Sequence, residues 1–250
     1  MEDNFMGLQS SRNMNLADPI IIAGLGGLGG GVIDSLKGKI KNDYDDINRV
    51  EMRIVDMTSH IKKIHMTDDE IIILDSRGTD CDRTLGQSIF RDKKVYEGIR
   101  SEFKTLIEKM ISIAGEDHIN VLIASGIVGG TGGGIFVDFT YMIHDLFKEC
   151  HHKNYSICAY MFDAESMDDQ DEKNQQMKRN GQAALKELQH HMNITTQEHL
   201  YHTTIGQREI TCKKTLFEEY KHISFCLGDD DKLDDLKKRM STLMIEEFLY

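Results

Sequence analysis

The sequence has no tryptophan, one proline and five cysteines among its 250 residues. With Pro19 the single proline, and no repeat or low-complexity stretch, nothing reads as a linker, so no internal domain boundary is drawn. The cysteines (Cys81, Cys150, Cys158, Cys212 and Cys226) are odd in number, scattered, and form no C-x-x-C pair. That argues against a disulfide framework and fits reduced thiols in a cytoplasmic protein. No apolar run approaches the roughly 18 residues that cross a bilayer. Residues 1–18 hold no apolar centre of the kind a secretory signal needs, and are expected to form a flexible arm. Positive charge is also scarce: 30 Lys and Arg stand against 42 Asp and Glu, a formal net charge of −12. A non-specific grip on nucleic acid needs a basic face, so that partner is not expected. The acidic runs SMDDQDE (166–172) and DDDKLDD (229–235) read as solvated loop ends.

What is present is a soluble, globular composition, 40% hydrophobic and 29% charged. Short β-branched runs at 20–23, 50–55, 71–74, 121–124, 156–162 and 223–227 read as strands. Between them lie helical patterns. Residues 97–114 put Ile99, Phe103, Leu106, Ile107, Met110 and Ile113 on one stripe. Residues 134–148 are apolar nearly all round, as a helix buried against a sheet would be. Residues 180–192 carry Ala184, Leu185, Leu188 and Met192, and 233–250 repeat apolar residues at helical spacing. Alternation of strand and helix predicts a doubly wound α/β fold with a mostly parallel sheet. The last pattern runs apolar up to Tyr250 without a cap, so either the domain finishes against that helix or the chain was cut before something else.

The stretch GLGGLGGG (24–31) follows a strand and precedes a helix, with six glycines in eight residues. Glycines let a backbone approach a ligand closely, and the following helix start favours an anion. The loop alone leaves the ligand open. Dinucleotide folds use G-x-G-x-x-G with an acidic residue near the end of the second strand, and Asp56 stands there. The loop also resembles the ATP loop of ubiquitin-activating-type adenylyltransferases. A Walker-type G-x-x-x-x-G-K-[ST] is absent.

A second strand, glycine loop and helix follow at 121–136, VLIASGIVGGTGGGIF. A triphosphate lying across several strand ends uses two such loops, with the Thr131 hydroxyl as a further donor. At this point the sequence resembles the tubulin and FtsZ family of GTPases. Their G-G-G-T-G-[ST]-G signature compares with Val128 to Gly134, matching at five of seven positions including the threonine. Their first loop, G-x-G-G-x-G-x-N, matches Gly24 to Gly31 except that Gly31 replaces the asparagine.

The resemblance implies a guanine nucleotide, GTP or GDP with Mg²⁺, across the carboxyl ends of strands ordered 3-2-1-4-5-6. It implies phosphate contacts at Gly26, Gly27, Leu28, Gly130, Thr131, Gly132 and Gly133, and further nucleotide contacts at Gly31, Gly126 and Gly129. Asp56 and Glu165 become ribose or Mg²⁺ contacts, Gly78 and Thr79 part of a third loop near the γ-phosphate, Arg179 a contact at a helix start, and Asp229 a base contact. Residues 19–228 become the nucleotide-binding domain and 229–250 the start of a central helix. The family's acidic N-x-D-x-x-[DE] loop and second, activating domain have no counterpart up to Tyr250, so weak hydrolysis by this chain alone is expected. The implied function is nucleotide-dependent self-association, as a homo-oligomer or filament. The alternatives are a nucleotide-sensing module of a larger assembly without filaments, or a Rossmann-type enzyme using NAD or ATP. The missing asparagine leaves guanine and adenine both open.

Other residues read more plainly. Cys150-His151-His152 and His190-His191 lack the paired spacing of a structural zinc site. Asp80, Asp82 and Arg83 read as an exposed polar loop, with Mg²⁺ or γ-phosphate contact as the alternative. The fourteen methionines read as core filler.

Overall fold

The six β-branched runs form one parallel sheet. β1 (Ile20–Leu25), β2 (Val50–Asp56), β3 (Ile71–Ile73), β4 (Ile119–Gly126) and β5 (Tyr155–Ser166) are joined by a final strand, β8 (Glu219–Cys226). The order is β3-β2-β1-β4-β5-β8, as expected for a doubly wound sheet. The computed structural model describes residues 18–43, 48–57, 64–75, 78–166, 171–193, 201–226 and 230–248. The expected arm at 1–18 lies outside these residues except for Asp18.

Each central strand is buried on both faces, which explains its continuous apolar run. Ile21, Ala23 and Leu25 of β1 point into one core, and Ile20 and Ile22 into the other. Helices α1 (Gly26–Asp43) and α6 (Asp230–Phe248) cover the second core, with Ile33, Leu36, Met240 and Met244 against Tyr160 and Phe162. Helices α2 (Arg83–Phe90), α3 (Lys93–Ala114), α4 (Gly130–Glu149) and α5 (Glu172–Met192) cover the first. The stripe predicted on α3 is buried at Ile99, Phe103, Leu106, Ile107 and Met110.

Helix α4 is buried all the way from Gly130 to His144. Besides the neighbouring helices it is covered by a hairpin that sequence reading missed: β6 (Tyr201–Ile205) and β7 (Arg208–Cys212) lie antiparallel and pack on α4. Tyr201 stacks on Tyr141 with ring centroids 3.6 Å apart, and its hydroxyl donates to Asp138 at 2.9 Å. Arg91 clamps the same carboxylate with two bonds of 2.6 and 2.8 Å. His144 bridges Tyr155 and the Leu216 carbonyl, and burial holds its pKa down at about 4. The buried Asp138 and His144 on that helix therefore both have partners, as burial demands. Helix α2 was also missed; it is short, and Asp82 caps it by accepting from the Leu85 amide at 3.0 Å.

Candidate functional site

β1 and β4 are neighbours with Leu25 opposite Ser125, so the helices that follow start side by side at the carboxyl edge of the sheet. Gly26 opens α1 directly after Leu25 and has φ +70°, a left-handed conformation that L side chains resist. A Cβ there would also lie 2.8 Å from the Gly132 amide nitrogen of α4. Only glycine lets the two helix starts meet this closely.

Both starts are bare. α4 has Gly129 as its N-cap, with no side-chain cap bond, and neither α1 nor α4 has an acidic residue in its first turn. The starts of α2, α3 and α5 differ. Asp82 caps α2, Asp92 caps α3 through the Lys94 and Val95 amides, and Asp171 caps α5 through Lys173. The first turn of a helix leaves up to four N–H groups without an intrahelical partner, and its dipole favours an anion. Two such turns, adjacent and without carboxylate caps, form a place for an anion.

The glycines sort into two groups. Gly29 lies against the Ala124 carbonyl, and a Cβ on Gly132 would come within 2.8 Å of the Leu25 carbonyl oxygen and of Ser125 Oγ. Gly130 packs on Thr79, Gly133 on the Ile127 carbonyl, and Gly126 under Leu28. These glycines are occupied by the protein's own close packing. A Cβ at Gly27 or Gly129 would meet nothing nearer than 3.8 Å, so the backbone there is open. Gly31 faces sideways, where the stem of Lys237 from α6 fills the space a side chain would take.

Asp56 ends β2, 6% exposed, with a carboxylate oxygen 3.8 Å from where a Gly27 Cβ would stand. Its Oδ1 accepts from the Met57 amide at 2.7 Å. Burial pushes its carboxyl above the usual range, against the pull of hydrogen bonds from Met57 and Thr131. The Thr131 hydroxyl therefore lies on the Asp56 side of the loop. Ser125 Oγ is buried without one, a hydroxyl in an apolar strand just ahead of the loop. That polar interruption is the signal sequence reading passed over.

The remaining expected positions are spread wider. Gly78 has φ +74°, and Thr79 is buried against the α4 start. Arg179 is exposed on α5. The stretch 178–180 lies inside α5 and not at its start, because the Asp171 cap begins the helix at Glu172. Glu165 falls within β5, and Asp229 lies outside the described residues. Asp80 is exposed, 3.5 Å from Lys173, while Arg83 bonds the Gly133 carbonyl and Glu187. Among the described residues no group of three or more His, Cys, Asp or Glu could hold a metal, and no helix is long and apolar enough to cross a membrane.

Fold and site define a class: a parallel α/β domain whose neighbouring central strands run into bare, anion-receptive helix starts. Within that class the chain belongs to the tubulin-like family. The family model described as "Tubulin like" matches residues 64–221, more than half of the chain and including the second glycine loop. No curated protein matches. Among solved structures it is similar to TubZ of Clostridium botulinum phage c-st, at 14% identity and TM-score 0.61, over 91% of this chain and 59% of that one. It is similar to TubZ of Bacillus thuringiensis serovar israelensis in GDP-form protofilaments, at 11% identity and TM-score 0.60, over 96% of this chain and 57% of that one. The GDP-bound monomer of CetZ1 from Haloferax volcanii follows at 12% identity and TM-score 0.53, over 90% and 58%. The chain thus spans less than two thirds of the length of these proteins.

Proposed function

We propose that the chain binds a guanine nucleotide at the paired starts of α1 and α4 and self-associates in a nucleotide-dependent way. The observation that carries the reading is the contrast among helix starts: the α2, α3 and α5 starts close on aspartate, and the two facing each other carry glycine and no carboxylate cap. The phosphates rest on the amides of 26–28 and 129–133. Gly27 and Gly129, with open backbone, lie nearest. Guanine is favoured because similar structures are described as GDP-bound and GDP-form. Mg²⁺ accompanies a triphosphate, held mainly by the phosphates with one or two carboxylates, of which Asp56 is the candidate at the loops. Gly78 and Thr79 approach the outer phosphate in this reading, Thr79 through its packing on Gly130. Glu165, Arg179 and Asp229 complete the ribose and base end in this reading. Turnover by the chain alone is slow in this reading, because the carboxylate at the loops, Asp56, is already engaged by the Met57 amide. Protofilament formation is supported by the GDP-form TubZ similarity. A cytoplasmic setting accords with the free thiols of Cys81, Cys150, Cys158 and Cys212.

The test is calorimetric titration of nucleotide-stripped protein with GTP, GDP, ATP and NAD⁺ in Mg²⁺, followed by sedimentation. GTP and GDP should bind at about micromolar or tighter, with NAD⁺ silent, and GTP should shift the sedimentation profile. Binding of NAD⁺ or ATP alone would sink the reading. Nucleotide binding with an unchanged profile would point to a sensing module without filaments.

A further inference from the structure

The segment 79–83 fits the first turn of α4 as closely as the two helix starts fit each other. Gly86 of α2 lies against the Gly130 carbonyl, and the Thr79 side chain against Gly130. Arg83 donates from Nε to the Gly133 carbonyl at 2.8 Å, and its other arm reaches Glu187 of α5. Between them stands Asn180 of α5, 4% exposed. Its Nδ2 donates to the Cys81 carbonyl at 2.7 Å and the Val128 carbonyl at 2.8 Å. Its Oδ1 accepts from the Gln176 side-chain Nε2 at 3.0 Å. Carbonyls only accept, so the amide has one workable orientation, and both of its N–H groups are spent on two different backbone segments. The segment it grips is under conformational load. Asp80 has φ +42° and Cys81 φ +64°, left-handed positions held by residues that are not glycine.

We propose that Asn180 is a positioning residue that ties segment 79–83 to the glycine-loop start of α4, so that occupancy of the loop is felt at 79–83 and α2 through Val128, Asn180 and Cys81. The ligand half of this inference rests on the nucleotide reading. The tie itself does not. Removing the amide takes this donor from the buried Val128 carbonyl and the part-buried Cys81 carbonyl and frees a left-handed turn to relax. Loosening should therefore be local, confined to the low-stability segment the amide holds.

Native-state hydrogen exchange on the 250-residue chain tests it, comparing the parent with Asn180→Leu, each with and without saturating GTP and Mg²⁺. The reporters are the Asp82 and Gly86 amides, which bond the Thr79 and Asp82 carbonyls. Without nucleotide they should exchange about ten- to a hundredfold faster in the variant, as the loss of two ordinary hydrogen bonds implies, with α3 and β4 unchanged. With GTP, the parent should slow at both 129–134 and 79–86, and the variant at 129–134 only. Equal exchange at 79–86 in the two ligand-free proteins overturns the tie. GTP protecting both segments equally in the variant overturns the transmission. If GTP protects nothing in the parent, the nucleotide reading fails while the ligand-free comparison still decides the tie. Should Asn180→Leu fail to fold, Asn180→Ser, which keeps a small polar side chain, is read in its place.

Discussion

Helices α3 and α4 are both long, both packed on the same core, and they begin in opposite ways. The start of α3 closes on Asp92, whose carboxylate takes the Lys94 and Val95 amides. The start of α4 opens on Gly129 with no side-chain bond at all. Along its body α4 leaves little unpaired: Asp138, Thr140, His144 and Asp145 all have partners. So the bare end is not a mark of a loosely made helix. A capped start gives stability to the chain itself, and an uncapped one leaves that interaction to a ligand.

Exchanging the two solutions gives the largest expected effect. Gly129 has φ −79° and ψ 164°, a backbone an aspartate adopts easily, and nothing crowds it closer than 3.8 Å. Gly129→Asp should raise ligand-free stability by about 0.5–1 kcal/mol, through the cap and the helix dipole. The same change should weaken nucleotide binding by about a hundredfold, roughly 2.7 kcal/mol, by placing a negative charge where phosphate sits. Melting curves and titration read on one preparation check both signs. If the two quantities fall together, the bare start is structural.

Next comes Gly26→Ala, which forces an L side chain into a left-handed turn and against Gly132. It should cost about 1–3 kcal/mol of stability, as overpacking does, and lower nucleotide affinity along with it. Asp92→Ala is the control on the capped side. It should lower stability by about 1 kcal/mol, roughly 2–4 °C in melting temperature, and leave nucleotide affinity unchanged.

The smallest effect concerns Asp56. Burial raises its pKa, so the folded chain holds that proton more firmly than the unfolded one. Its contribution to stability is complete below the unfolded carboxylate value, about 3.9, and is lost as pH rises through the raised folded value. Asp56→Asn should flatten this decline in pH-dependent denaturant melts. It should also tighten binding of Mg²⁺-free pyrophosphate about fivefold, the order of one unit charge near a hydrated anion.

The sheet was legible because its strands are buried on both faces and so are written as unbroken apolar runs such as Ile20 to Ala23. The two glycine loops were legible for a less secure reason. The surplus of glycine was read as room for a ligand, and at Gly29, Gly132 and Gly133 the room is taken by neighbouring backbone. Close helix–strand packing and ligand approach demand the same residue, so sequence alone does not part them. The hairpin β6–β7 went unseen because its outer residues, His202, Thr204, Glu209 and Thr211, are polar and exposed, leaving a weak apolar alternation. Its turn residues, Gly206 at φ +56° and Gln207 at φ +73°, have the positive φ pair of a tight hairpin but not its usual Asn-Gly spelling. Helix α2 carries Gly86 in its interior, which lowers helix propensity and is needed because the Gly130 carbonyl lies against it. The ties made by Asn180 and Arg83 depend on which segments meet in space, and no local pattern encodes that.

Gly31 and Lys237 share a single parcel of space between α1 and α6, with the lysine stem 2.9 Å from where a Cβ at 31 would be. A side chain at 31 has room only if the Lys237 stem swings aside. A relative that carries asparagine at the position of Gly31 must have a shorter or differently turned residue at the position of Lys237, and the two positions should covary as a compensating pair.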